Sequence, residues 1–243
     1  KIIKKIITCN ITITKVNIEK PIIENSIEIE KIEGKGFNNF DIVYYINLNH
    51  RKDRMEQILK ELKKTNIDEN KINRIEAVNI PSFGQLGCTK SHILALEKFL
   101  KTPPEIKNCL ILEDDFEFSL DQTTVNNLIN YFFKNFENRY SVLMLSANID
   151  KSFKSKVNSI LRICKARTTS GYCVNKTYAS ILLNNYKNSA RLLEKTRLIH
   201  TYALDNHVEY LQSKDFWYCF NPKIGKQRAS YSDIEKKNMS YGC

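Results

Sequence analysis

From residue 41 onward the chain repeats one alternation, and that alternation restricts its possible folds more than any other feature. Residues 41–48 (DIVYYINL) form a continuous apolar run. Residues 53–64 follow, with Met55, Ile58, Leu59 and Leu62 at helical spacing and Lys and Glu on the other face. RIEAV (74–78) reads as a second strand. TKSHILALEKFL (89–100) reads as a helix with Ile93, Leu96 and Leu100 on one face; Thr89 is placed to cap it, and Pro103 and Pro104 end it. CLIL (109–112) is a third strand. Val125, Leu128, Ile129, Phe132 and Phe136 mark the next helix, and SVLMLS (141–146) another strand. Strands that alternate with helices predict an α/β fold with a mostly parallel sheet covered on both faces.

The second half is less regular. SGYCVN (170–175) reads as a strand, residues 177–186 and 188–196 as two helices, and ALDNHVEYL (203–211) as a short helix with Leu204, Val208 and Leu211 on one side. DFWYCFN (215–221) is a last strand stopped by Pro222, and the tail from Gly225 is polar and Lys-rich. Residues 1–40 differ from the rest. Ile11 and Ile13 keep a period of two, as do Ile27 and Ile29, with Pro21 between them. This stretch is expected to be a short N-terminal arm or edge strands, with a boundary near Phe40 and one domain over 41–243.

The chain is 42% hydrophobic, with 12 Phe and 12 Tyr, which is enough to bury a core. No apolar run reaches the length of a membrane span, so no transmembrane segment is expected. A net charge of +11 points to an anionic partner: nucleic acid, a nucleotide or a membrane surface. The basic residues do not gather in one block, so no specific nucleic-acid stripe is visible. The seven Cys form no C-x-x-C pair, and Cys109, Cys164, Cys173 and Cys219 lie in or beside apolar runs, as buried thiols do. That usage suggests a reducing, cytoplasmic setting. The first residue is Lys1 rather than Met, which leaves a removed signal peptide and a lumenal setting open.

The chemistry concentrates after the third strand, in LILEDDFEF (110–118). Glu113, Asp114 and Asp115 stand at a strand end, where ligands of open α/β sheets bind. Three adjacent carboxylates repel one another unless a positive group joins them. Mn²⁺ or Mg²⁺, which prefer carboxylate oxygens and bridge to phosphates, would resolve that repulsion. In a continuing strand Glu113 and Asp115 would share one face and Asp114 the other. Arg51, Lys52 and Arg54, just past the first strand, would meet a diphosphate. The plainer accounts are turn-capping or surface pairing for the acids and a solvated helix start for the bases. No dinucleotide fingerprint, phosphate-binding loop or nucleophile elbow is present. The four His show no metal-ligand spacing, and taken alone His92 reads as a core residue.

An ordered set of motifs resembles glycosyltransferase family 25, which includes lipopolysaccharide and procollagen hydroxylysine galactosyltransferases. The set is YINLNHRKDR (45–54), RIEAVN (74–79), GQLGCTKSH (84–92), LILEDDFEF (110–118), TSGYCVNK (169–176) and YSDI (231–234). The resemblance spans about residues 41–235. It implies a GT-A-like fold, a UDP-galactose or UDP-glucose donor, Mn²⁺, and a hydroxyl acceptor on a glycan or hydroxylated protein. It implies Asp115 and Glu113 as metal ligands and Asp114 near the ribose or donor sugar. Asn47, Arg51 and Arg54 would line the nucleotide side, and Ala77 and Val78 would meet the base. Gly87, Cys88, Ser91 and His92 match a further family element, which moves His92 to the site, and Gln227 would contact the donor. Asn79 and Ile80 depart from the Asp and Gly often found there. For inversion, Asp205 is the expected general base, with Asp233 second. Two other classes fit the residues: a metal-dependent phosphohydrolase with an aspartate nucleophile, and a non-catalytic module for an anionic ligand.

Overall fold

The computed structural model describes residues 33–239 apart from 138 and 235, so the strands expected around residues 11–13 and 27–29 lie outside the described residues. A 3₁₀ turn, Gly36–Asn39, leads in, with Phe37 and Phe40 buried. Then come β1 (Ile42–Asn47), α1 (Lys52–Lys63), β2 (Ile72–Glu76), α2 (Gly84–Leu100), β3 (Asn108–Glu113) and β4 (Phe116–Phe118). They are followed by α3 (Gln122–Phe136), β5 (Val142–Met144), β6 (Asn148–Lys154), β7 (Ile160–Arg167), β8 (Gly171–Asn175) and α4 (Lys176–Thr196). The chain continues through α5 (Ile199–Tyr202), α6 (Leu204–His207), α7 (Glu209–Lys214), β9 (Trp217–Phe220), β10 (Gly225–Gln227), β11 (Ser230–Ser232) and β12 (Lys237–Met239).

Eight strands form one sheet in the order β2-β1-β3-β8-β5-β9-β7-β6. The pairings give β1, β2, β3, β5, β9 and β6 one direction, and reverse β8 and β7. The sheet is therefore mixed and mostly parallel. Alternate residues of each central strand enter opposite cores, as the pleat requires. Cys109 and Ile111 of β3 pack under α2 and α4 with Leu96, Phe99 and Leu182. Leu110 and Leu112 pack under α1 and α3 with Ile58, Leu62, Leu128 and Phe132.

Several expected boundaries shift for tertiary reasons. Helix α2 begins at Gly84, five residues before Thr89. Thr89 lies inside it, and its hydroxyl donates to the Gln85 carbonyl at 2.9 Å. The extra turn is held by burial of Phe83 and Leu86 against Leu193 of α4. The two helices expected over 177–196 are one, α4, capped where the Asn175 side chain accepts from the Thr177 N–H. The helix expected over 203–211 breaks at Val208 into α6 and α7. The hairpin β6–β7 has no counterpart in the sequence pattern. On β6 no residue is fully buried, so its sequence carries no burial rhythm. Of the four Cys placed in apolar runs, Cys109, Cys173 and Cys219 are buried and Cys164 is half-buried; none of them is in a disulfide.

Gly87 fixes where α2 meets the strand ends. A Cβ there would lie 2.5 Å from the Val78 carbonyl oxygen, closer than atoms approach without something moving. Gly87→Ala is expected to cost about 1–3 kcal/mol, the usual penalty of overpacking, measured as a lower urea midpoint with unchanged slope.

Candidate active site

Strands β1 and β3 run side by side and end together, with Ile46 opposite Glu113. The extended backbone stops at Glu113, and Asp114 and Asp115 form the turn into β4. The two-residue alternation therefore ends as well. This corrects the expectation that Glu113 and Asp115 share a face: Asp114 and Asp115 turn together toward Arg54, and Glu113 turns toward α2.

Arg54 lies in the buried stripe of α1, one turn before Ile58 and two before Leu62. Its Nη1 donates to Asp114 at 3.0 Å and to Asp115 at 3.2 Å. Its Nη2 donates to the Ser230 hydroxyl and the Tyr231 carbonyl, both at 2.8 Å. Asn47 donates to the other Asp114 oxygen at 2.8 Å. Gln227 donates to Asp115 Oδ2 at 3.0 Å. Asp115 Oδ1 is buried with no hydrogen-bond partner. Burial, reinforced by the charges of Glu113 and Asp114 and opposed by Arg54, pushes the Asp115 carboxyl up to about 7. Burial raises Asp114 too, against the pull of Arg54 and Asn47.

Glu113 belongs to a second network. Its Oε1 lies 3.1 Å from His92 Nε2 and 3.1 Å from the Thr169 hydroxyl. Burial opposes ionisation there, but those two donors and the His92 charge bring the Glu113 carboxyl below its ordinary value. An ionised carboxylate only accepts, so His92 Nε2 carries a proton toward it, and Nδ1 lies 3.1 Å from the Tyr172 hydroxyl. Cys88, one helical turn before His92, brings its Sγ within 4.0 Å of the same oxygen. Burial, with Glu113 and Asp205 adding, raises the Cys88 thiol well above its ordinary value.

Arg54, Cys88, His92, the three acids and Gln227 line a cleft of about 350 Å³. Ten residues predicted from sequence reach its wall: Arg54, Ala77, Val78, Ser91, His92, Glu113, Asp114, Asp115, Gln227 and Asp233. Three do not. Asn47 stands behind Asp114. Arg51 is engaged by Asp53 at 2.8 Å and by Asp233. Asp205 is half-buried, with the N–H groups of Thr168 and Asn206 on its carboxylate; burial is the larger effect and raises its pKa. The hydroxyl of Ser91 accepts from the Val78 N–H at 2.8 Å, fixing the wall segment 77–80 to α2. The hairpin β11–β12 contributes Ser232, Asp233, Ile234 and Lys236. Lys236 escaped the sequence analysis because it lies in an aperiodic polar tail; Thr169 stands in the TSGYCVNK motif but received no role there, since only folding brings it to Glu113.

Residues 69–199, more than half of the chain, match the family model described as glycosyltransferase family 25 (LPS biosynthesis protein). The chain belongs to glycosyltransferase family 25. No curated protein sequence matches it. Among solved structures, it is similar to a glycosyltransferase involved in the glycosylation of the major capsid of PBCV-1, at 11% identity over 72% of this chain and 79% of that one, with a TM-score of 0.44. It is also similar to the glycosyltransferase GlyE of Streptococcus pneumoniae TIGR4, at 12% identity over 72% and 44% of the two chains and a TM-score of 0.42. Mannose-1-phosphate geranyltransferase of Thermus thermophilus gives 10% identity, 74% and 72% coverage and a TM-score of 0.43. Likeness at that level fixes neither substrate nor activity. No helix among the described residues is long and apolar enough to cross a membrane.

The acidic turn has the charge to attract a divalent cation, although among the described residues its three carboxylates do not bring their oxygens within 4.8 Å of one another. Glu113, Asp114 and Asp115 ionised carry three negative charges against one positive charge on Arg54, leaving a deficit of two. The orphaned Asp115 oxygen is a hard donor without a partner, the type of ligand atom that a hard cation takes. Cys88, His92 and Glu113 do place ligand atoms within 4.8 Å of one another. That set is the poorer fit, since a cation there must displace the His92 proton and ionise a thiol held protonated by burial.

Because the folded carboxyl of Asp115 titrates near 7 and an unfolded one near 3.8, the folded state holds the extra proton between those values. This group's contribution to stability therefore falls as pH rises from about 4 to 7. Asp115→Asn is expected to stabilise the metal-free protein at pH 8 by about 1–3 kcal/mol and to flatten its profile between pH 5 and 8, seen in thermal melts. In the parent, Mn²⁺ is expected to raise the melting temperature more at pH 8 than at pH 5.5, and in the Asn variant little at either.

Proposed function

We propose that this family 25 member transfers a hexose, galactose or glucose, from a UDP-sugar to a hydroxyl of a glycan or hydroxylated protein, with inversion at the anomeric carbon. The observation that supports this most is the buried, unpartnered carboxylate oxygen of Asp115 in a cleft with three further acids, Glu113, Asp114 and Asp233. Asp115 and Glu113 are the residues that would hold Mn²⁺ or Mg²⁺. When bound, such an ion supplies positive charge for the departing diphosphate.

The protein's own groups do the rest. Ala77 and Val78, fixed through Ser91, form the wall assigned to the base; Asn79 and Ile80 extend it without the carboxylate common in the family. Asp114 and Gln227 are assigned to donor hydroxyls. Lys236 is exposed on the cleft wall, a cation suited to the diphosphate. Arg54 opposes protonation of the acidic turn and holds it in place.

Asp205 is assigned as general base. Its raised pKa brings a carboxylate closer to the range in which it can accept a proton from a hydroxyl. Asp233 is the weaker choice, because its carboxylate already holds Arg51. Its position suits it to fastening the hairpin.

A panel of UDP- and GDP-sugars, with and without Mn²⁺, tests the assignment through release of nucleotide diphosphate. Release is expected from a UDP-hexose only, and only with the ion. Asp115→Ala is expected to lower it at least about a hundredfold, the scale of removing a charge-stabilising group. UDP release by that variant at the parent's rate would end the assignment. Asp205→Asn is expected to lose about 10²–10⁴ in transfer with donor affinity kept. If Asp233→Asn loses transfer and Asp205→Asn does not, the base is misassigned.

A further inference from the structure

A second cavity, of about 790 Å³, lies at the other end of the sheet and shares no lining residue with the cleft. Ser141 and Phe216, which lead into β5 and β9, contribute to it. Both strands run in the direction of β3, so their amino ends lie at the sheet edge opposite the acidic turn.

Its chemistry is one-sided. Arg139, Lys154, Lys156 and Arg162 line it, and no carboxylate does. None of the four forms an ion pair with a described carboxylate. Asp215, beside Phe216 in the chain, is already taken by the Tyr178 hydroxyl at 2.6 Å. Arg162 is anchored by the carbonyls of Ile163 and Gln212, and its guanidinium stands 5.6 Å from the centre of the Phe216 ring. That ring is 59% exposed, unusual for Phe. Unpaired cations around a concave, aromatic-floored groove concentrate positive potential where a ligand enters.

We propose that this groove binds an anionic oligosaccharide. Arg139, Lys154 and Lys156 pair with its acid groups, and Phe216 packs on a sugar ring. The choice of a glycan over another polyanion rests on the glycosyltransferase reading above and on the floor, a single exposed ring rather than the run of stacking rings that a nucleic-acid strand uses. The groove would hold an acceptor chain away from the transfer site and raise its local concentration there.

The test is direct binding by calorimetry, without donor or metal, of oligogalacturonate, neutral dextran oligomers and a single-stranded DNA of matched charge. The uronate is expected to bind, more weakly as salt rises, and dextran is not. Lys154→Glu combined with Lys156→Glu turns two attractions into repulsions and is expected to weaken uronate binding about tenfold or more. Phe216→Ala is expected to weaken it about fivefold. Both variants should melt as the parent does and keep its UDP-sugar turnover. Uronate binding that persists in an inactive Asp115→Ala protein supports the groove whatever becomes of the transfer assignment. Parental uronate affinity in both variants, or equal binding of dextran, overturns the proposal. So does tighter binding of the DNA with loss in the same variants.

Discussion

A buried guanidinium holds the cleft together. Arg54 stands between two carboxylates of the β3 turn and two oxygens of the C-terminal segment, so one side chain ties α1, the acidic turn and β11. Without it, Asp114 and Asp115 would face each other and Glu113 in a poorly hydrated pocket, and one or more would take up a proton. Removing one partner of such a set leaves uncompensated buried charge, which costs far more than the set contributes when whole. Arg51 repeats the arrangement at the rim by joining the start of α1 to Asp233. The hairpin β11–β12 is therefore fastened to α1 by two guanidinium groups.

The reversed strand β8 is the second constraint. Inserted between β3 and β5, it brings the turn before it to the end of β3, where the Glu113 N–H donates to the Ser170 carbonyl at 2.8 Å. That contact carries Thr169 onto Glu113. Thr168, next in the turn, has φ of +80°, a conformation that a β-branched residue rarely adopts. Its N–H is directed at the Asp205 carboxylate, which joins the strained residue to the assigned base. Strain of this kind persists only where the surroundings over-determine it.

What could be read in advance follows from burial. Strands β1, β3 and β5 are covered on both faces and appear as apolar runs. Helices α1 and α3 are covered on one and show a stripe. Arg54 itself lies in that stripe with Ile58 and Leu62, a signal that it turns inward rather than to solvent. Strand β6 escaped because an exposed edge selects no pattern, and β7 because its buried residues, Ile160, Ile163 and Ala166, fall three apart rather than two. The early start of α2 escaped because contacts with α4, far along the chain, outweigh two helix-weakening glycines.

The chain's order of residues determined the strand–helix alternation, the three acids at a strand end and the Cys88–His92 pair one helical turn apart, since each is set by neighbours in sequence. Tertiary structure decided which charge meets which. Arg54 and Asp114 are 60 residues apart, and Gln227 and Asp115 are 112. Such pairs are fixed only when sheet order and crossovers bring distant strand ends together. The same closure leaves one oxygen of Asp115 buried without a partner, and no local pattern could have announced it.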